Sequence, residues 1–170
     1  CSSDLVYLKS DNDNGSLEVK NNTIVGNSGS PTVSLGKSSS ASAPVFSYNS
    51  IYGNSGTYEL ATTIALGTDL DAENNYWGTS DASAIATKVY DWNEDDSLGF
   101  VYPTSNEIAI ITSSPIAPPT GVSSQTGPTT MQLSWTANAE SDIAGYKVYY
   151  DPDDPGWPAP TPGSHGRHGV

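Results

Sequence analysis

The sequence predicts an all-β chain wound as a parallel β-helix, and three observations carry that prediction. One phrase is written three times: Asn-Thr-Ile-Val-Gly-Asn-Ser-Gly from Asn22, Asn-Ser-Ile-Tyr-Gly-Asn-Ser-Gly from Asn49, and Asn-Asn-Tyr-Trp-Gly-Thr-Ser-Asp from Asn74, spaced by 27 and then 25 residues. A fixed period of this size marks a stacked repeat in which no unit buries its apolar face alone. Between the phrases, apolar and polar residues alternate over four or five positions, the pattern of a half-buried strand. The composition is rich in Ser, Thr, Asn, Gly and Pro, with Tyr and Trp as the main aromatics. Such residues punctuate turns or favour strands, so a helical bundle is a poor match.

The expected strands follow in order at Leu5–Leu8, Leu17–Val19, Thr32–Leu35, Val45–Tyr48 and Thr63–Leu66. A repeat of about 25 residues is too short for a strand–helix–strand unit, which needs about 30 or more. It fits one rung of a β-helix, with strands of successive rungs about 4.8 Å apart. Asn22, Asn49 and Asn74 then stack as an amide ladder. Ile24, Ile51 and Tyr76 form a ridge beside it, and Gly26, Gly53 and Gly78 mark the turn that follows. Residues 36–44 interrupt the pattern and read as a loop. Asp81 is a natural N-cap for a short helix near 82–90, because Ala82, Ile85, Ala86 and Val89 recur at helical spacing. That helix covers the open apolar end of the last rung, as a terminal unit must. Residues 1–112 thus hold about four rungs, with more expected upstream. Residues 113–118 read as a Pro/Ser linker. Strand-like runs return over 119–151, and 152–170 is a Pro/Gly-rich tail expected to be disordered.

Two resemblances sharpen this outline. The run Asn74-Asn75-Tyr76-Trp77-Gly78-Thr79, followed by Ile85, Val89-Tyr90-Asp91, Asp95-Asp96 and Gly99-Phe100-Val101-Tyr102-Pro103, resembles the last rung and cap of right-handed parallel β-helix repeat proteins. That likeness covers residues 5–105. Residues 117–151 resemble the opening half of a fibronectin type III domain, in which a second-strand Trp packs on a third-strand Tyr. Trp135 and Tyr146 stand in those places. A complete sandwich has about seven strands, and only three can be read, so the module is partial. The resemblance implies a secreted or cell-surface prokaryotic protein whose solenoid presents a surface to carbohydrate or cell-envelope ligands. Its fibronectin-like part then serves as a spacer. Two rivals stand beside this reading. One is the non-catalytic end of a polysaccharide lyase or glycoside hydrolase whose active rungs lie upstream, and the other is a structural adhesin or surface-layer stalk.

Charge narrows the partners. The net charge is -13, and so acidic a surface repels phosphate backbones and disfavours nucleic acid. No stretch approaches the roughly 20 apolar residues of a membrane span. Cys1 is the only cysteine, which excludes an internal disulfide and a Cys-rich metal site. It reads either as a lipidated terminus or as a core cysteine of a longer chain. The second is favoured, because strand-like sequence begins with no tether.

Candidate chemistry is thin. Asp69, Asp71 and Glu73 alternate along one strand, and paired carboxylates about 5 to 9.5 Å apart can cleave glycosidic bonds, although a solvated face is the plainer reading. Asp91, Asn93 and Asp95 offer oxygens at alternate positions as a calcium loop does, but the Gly and the closing Glu of such a loop are missing. Calcium is therefore the sole cofactor weighed, and an acidic surface turn is the alternative. Tyr52 and Trp77 share a repeat position and, facing outward, would stack on sugar rings. Facing inward, they would pack under the cap.

Overall fold

The computed structural model of the chain describes residues 6–11, 17–103, 107, 109–150 and 168–169. The chain lays down three short strands per turn. The first turn is β1 (Val6–Ser10), β2 (Glu18–Lys20) and β3 (Thr23–Val25), and the second is β4 (Val33–Lys37), β5 (Val45–Ser47) and β6 (Ser50–Tyr52). The third has β7 (Leu60–Thr62), β8 (Leu70–Asp71) and a single bridge at Tyr76. A helix α1 (Ala82–Ala86) then leads into β9 (Val89–Tyr90) and β10 (Val101–Tyr102). Pairing is parallel and runs between turns: β1-β4-β7-β9 form one sheet, β2-β5-β8-β10 a second and β3-β6 a third. This is a β-solenoid. The third sheet is the shortest, so the complete turns number about three where the sequence suggests about four.

Register follows the 27-residue period where expected, with Val6, Val33 and Leu60 aligned and Ile24 opposite Ile51. The third repeat corrects the reading. Tyr76 bridges Ser50 rather than Ile51, so the offset there is one residue larger than the phrase alignment gives. Asn75, not Asn74, completes the ladder: its Oδ1 accepts the backbone N–H and the side-chain amide of Asn49 at 2.8 and 3.0 Å. Asn49 Oδ1 serves Asn22 in the same way at 3.0 and 2.9 Å. Asn74 instead joins Asn21 and Tyr48 in the left-handed region, with φ of 59°, 55° and 56°. A slip of one residue on a strand exchanges its faces, so the inward ridge is Ile24, Ile51 and Trp77, while Tyr76 points away from the core. Gly78 keeps a positive φ of 75° but stands against Tyr52. The three glycines share a conformation, and only Gly26 and Gly53 share a register.

The core is one column of Leu35, Phe46, Ile51, Leu60, Leu70 and Trp77, closed by Ile85 of the cap. Phe46 and Trp77 lie 6.3 Å apart. Asp81 caps α1 as expected, accepting from the N–H groups of Ser83 and Ala84 at 2.8 and 3.0 Å. The helix is shorter than the 82–90 expected. Thr87 ends it, and Val89 moves into β9 opposite Leu60. Five residues cannot hold a helix alone, and the bare edge of β7 offers Val89 a ladder instead.

From Glu107 the chain turns back along the solenoid. Glu107 N–H donates to the Asn75 carbonyl at 3.0 Å and Ile111 N–H to Ser50 Oγ at 2.9 Å. Ser114 Oγ then donates to the Tyr48 carbonyl at 3.3 Å, and Thr23 Oγ1 to the Pro115 carbonyl. The segment read as a linker is thus a strap descending from the third turn to the first. Beyond it, β11 (Thr120–Thr126) and β12 (Met131–Thr136) form an antiparallel hairpin, and β13 (Tyr149–Tyr150) pairs with β14 (His168–Gly169). Trp135 and Tyr146 meet edge to face at 5.1 Å. All of β11 and all of β12 except Trp135 is exposed, and among the described residues this region consists of that hairpin and the β13–β14 pair. The tail read over 152–170 lies outside the described residues apart from β14.

Candidate functional site, a cleft over the first sheet

Strand alternation sends Val33, Leu35 and Leu60 into the core and leaves Ser34 and Ala61 on the outer face. Across the sheet the outer residues in register are Tyr7, Ser34, Ala61 and Tyr90, two small side chains between two large ones. The small pair becomes the floor of a cleft of about 490 Å³. Ser34 and Ala61 are only 6% and 5% exposed, because walls rise on both sides. One wall is Tyr58 against Tyr90, edge to face at 5.2 Å and 77°. The other is the loop between β9 and β10, which brings Asp95 and Leu98 to the rim.

Each wall has a buried polar support. Beneath Tyr58, Glu59 is 3% exposed. Its Oε2 accepts from Thr32 Oγ1 at 3.1 Å and Asn54 Nδ2 at 2.9 Å, and Oε1 lies 3.5 Å from Lys88 Nζ. Asn54 Oδ1 in turn accepts from the backbone and side chain of Asn27 at 2.8 and 3.0 Å, a second amide ladder. Sequence reasoning missed Glu59, although Thr32 and Glu59, like Asn27 and Asn54, stand one 27-residue period apart.

The opposite wall depends on the residues weighed for calcium. Asp91 is buried. Its Oδ1 accepts both the backbone and side-chain N–H of Asn93, and its Oδ2 accepts Val101 N–H at 2.8 Å. Asp95 Oδ1 accepts from Ser97 Oγ at 2.7 Å and Ser97 N–H at 3.0 Å. Those two bonds hold its carboxyl below the ordinary carboxylate value, the hydroxyl contributing most. Asp91 and Asn93 are spent on shaping the loop, and Asp95 alone faces the cleft. Among the described residues, no three His, Cys, Asp or Glu side chains cluster as a metal site.

Asp69, Asp71 and Glu73 do not line the cleft. Asp69 and Asp71 face outward on either side of buried Leu70. Asp69 accepts Phe100 N–H at 3.0 Å and Tyr102 O–H at 3.3 Å, while Asp71 accepts Glu73 N–H at 3.0 Å. The Asp69 charge, then burial, raises the Tyr102 hydroxyl above its usual pKa. Asp69 thereby braces an aromatic row in which Phe100 stacks on Trp92 at 4.8 Å and on Tyr102 at 6.3 Å.

Tyr52 and Trp77 are not equivalent, because of the register shift. Trp77 is fully buried and offers no ring face to a ligand. Tyr52 is half-buried, and its hydroxyl donates to Glu140 Oε1 at 2.9 Å. Burial first, then the bond to Glu140 and its charge, push Tyr52 up to about 12. Glu140 Oε1 also accepts Ala117 N–H at 2.7 Å, so this contact clasps strap, hairpin base and solenoid together.

The chain shows no significant match to a family model, to a curated protein or to a solved structure. Among the described residues, no helix is long and apolar enough to cross a membrane.

Proposed function

We propose that this chain is a non-catalytic, glycan-associated β-solenoid from a secreted or cell-surface protein. The single observation carrying the proposal is the cleft, a preformed concavity with an aromatic wall and a hydroxyl-bearing floor. Ligand sites are concave, mostly apolar and fitted with a few convergent polar groups, and sugars meet aromatic rings through their C–H faces while hydroxyls pair with polar side chains. Its volume of about 490 Å³ falls within the roughly 300–1,000 Å³ of such sites. Finer points belong to the same reading: a right-handed winding, kinship with β-helix repeat proteins, and a fibronectin-like spacer beginning at the hairpin.

Catalysis by these residues themselves finds less support. Glycoside cleavage uses two carboxyl groups facing each other across the bond, and Asp95 is the only carboxylate among the described residues lining the cleft. Asp69 and Asp71 hold backbone N–H groups, as structural carboxylates do. The test is retention of the full chain on immobilised cell-wall and plant polysaccharides, followed by assay for released sugar. Retention without release is expected. Failure to bind any glycan overturns the proposal, and release of reducing ends favours the hydrolase.

A further inference from the structure

We infer that the cleft takes an uncharged pyranose chain and discriminates against uronates. The inference rests on the glycan-binding reading above and adds the class of glycan. Three observations carry it. First, no Lys or Arg is among the described lining residues. A sugar carboxylate seated there would lose water without gaining a cationic partner, which is costly for any buried charge. Lys9 stands on β1 opposite Gly36 and is not a lining residue, and Lys88 pairs with Glu59. Second, the one charged group among the described rim residues is Asp95, which accepts hydrogen bonds from sugar hydroxyls and repels a carboxylate. Its two bonds from Ser97 keep that group ionised. Third, among the described lining residues the other polar side chains all carry hydroxyls: Ser30, Ser34, Thr57, Thr62 and Thr63, with Tyr58 and Tyr90. They donate or accept by rotation and so match alcohols rather than a fixed anion. The Tyr58–Tyr90 pair supplies the stacking surface, and edge-to-face contact fixes both rings before a ligand arrives.

The experiment uses the full chain in affinity electrophoresis and calorimetry with soluble β-glucan, xylan and mannan against polygalacturonate and alginate, at low and high salt. At least one neutral polymer binds, with an affinity unchanged by salt, since no ion pair is screened. Tyr58→Ala and Tyr90→Ala each weaken that binding about tenfold, the scale of one lost aromatic contact. Circular dichroism and urea midpoints identify variants that fail to fold. Asp95→Lys, a change at the rim, is the second probe: it admits polygalacturonate, and that new binding weakens with salt. If the unmodified chain binds the acidic polymers, and Tyr58→Ala abolishes this, the inference is overturned while the glycan reading survives. Neutral binding that ignores both tyrosine variants also overturns it, by placing the ligand elsewhere. Absence of binding to every polymer overturns the inference and the reading together.

Discussion

At the scale of single residues, the two asparagine ladders hold the turns in step. Asn49 is fully buried and sits mid-ladder. Its side chain donates to the carbonyls of Val19 and Ser47 and to Asn75 Oδ1, and its Oδ1 accepts twice from Asn22. Removing a partner from buried polar groups costs more than the bond itself contributes. Asn49→Ala is therefore expected to destabilise the chain by about 3 kcal/mol, read as a fall in the urea midpoint. Asn22→Ala, at the exposed end of the ladder, is expected to cost less than half of that. Gly56 makes a steric prediction instead. A Cβ at Gly56 would fall on the Gly29 carbonyl oxygen one turn away, so Gly56→Ala is expected to cost about 2 kcal/mol. An unchanged midpoint would refute that close approach. The period made Asn22 and Asn49 legible. It misassigned the third ladder member, because two adjacent asparagines, Asn74 and Asn75, present the same residue type one position apart.

At the scale of elements, the short strands are stable only as layers. β5 and β6 each bury two residues and β7 three, so these strands persist through neighbours one turn away rather than through local propensity. The same reasoning explains α1. Its five residues are fastened by Asp81 at one end and by Ile85 in the core. Asp81→Ala leaves the Ser83 and Ala84 N–H groups without their acceptor and is expected to cost about 1 kcal/mol. Loss of protection at the α1 amides, seen by hydrogen exchange, should precede any loss in β7. Cap position and N-cap were readable because capping chemistry is local. The helix end was not, because Val89 satisfies helical spacing and strand pairing equally well. The free edge of β7 decides between them.

At the scale of the whole molecule, the strap and the Tyr52–Glu140 clasp join the hairpin to the solenoid. Burial pushes the Glu140 carboxyl up, but the N–H of Ala117 and its own N–H, with Tyr52 and Asn138, outweigh burial and leave it below the ordinary value. A depressed carboxyl contributes stability above the unfolded pKa and loses it as pH falls through the folded one. The gap in stability between the unmodified chain and Glu140→Ala should therefore be full at neutral pH and narrow below the ordinary Glu range of about 4.3. Tyr52 works in the opposite direction. Its contribution is full below the ordinary tyrosine value of about 10 and is lost as pH rises toward about 12. Glu140→Gln removes the charge, so tyrosinate absorbance should show the Tyr52 titration moving down toward the ordinary value. A titration curve identical to that of the unmodified chain would rule out the clasp.

The sequence by itself determined the solenoid, its 27-residue period and the first two members of one ladder, Asn22 and Asn49, because stacking repeats one local solution and a repeat can be counted. It also identified the cap and the Trp135–Tyr146 pair. The cleft was decided only by tertiary structure. Tyr58, Tyr90, Ser34 and Asp95 carry no shared motif; they belong to different turns, and stacking with loop closure brings them to one place. Register lies between the two. A strand has a period of two, so a single residue separates the buried Trp77 from an exposed one, and only hydrogen bonds between neighbouring turns fix which face it takes.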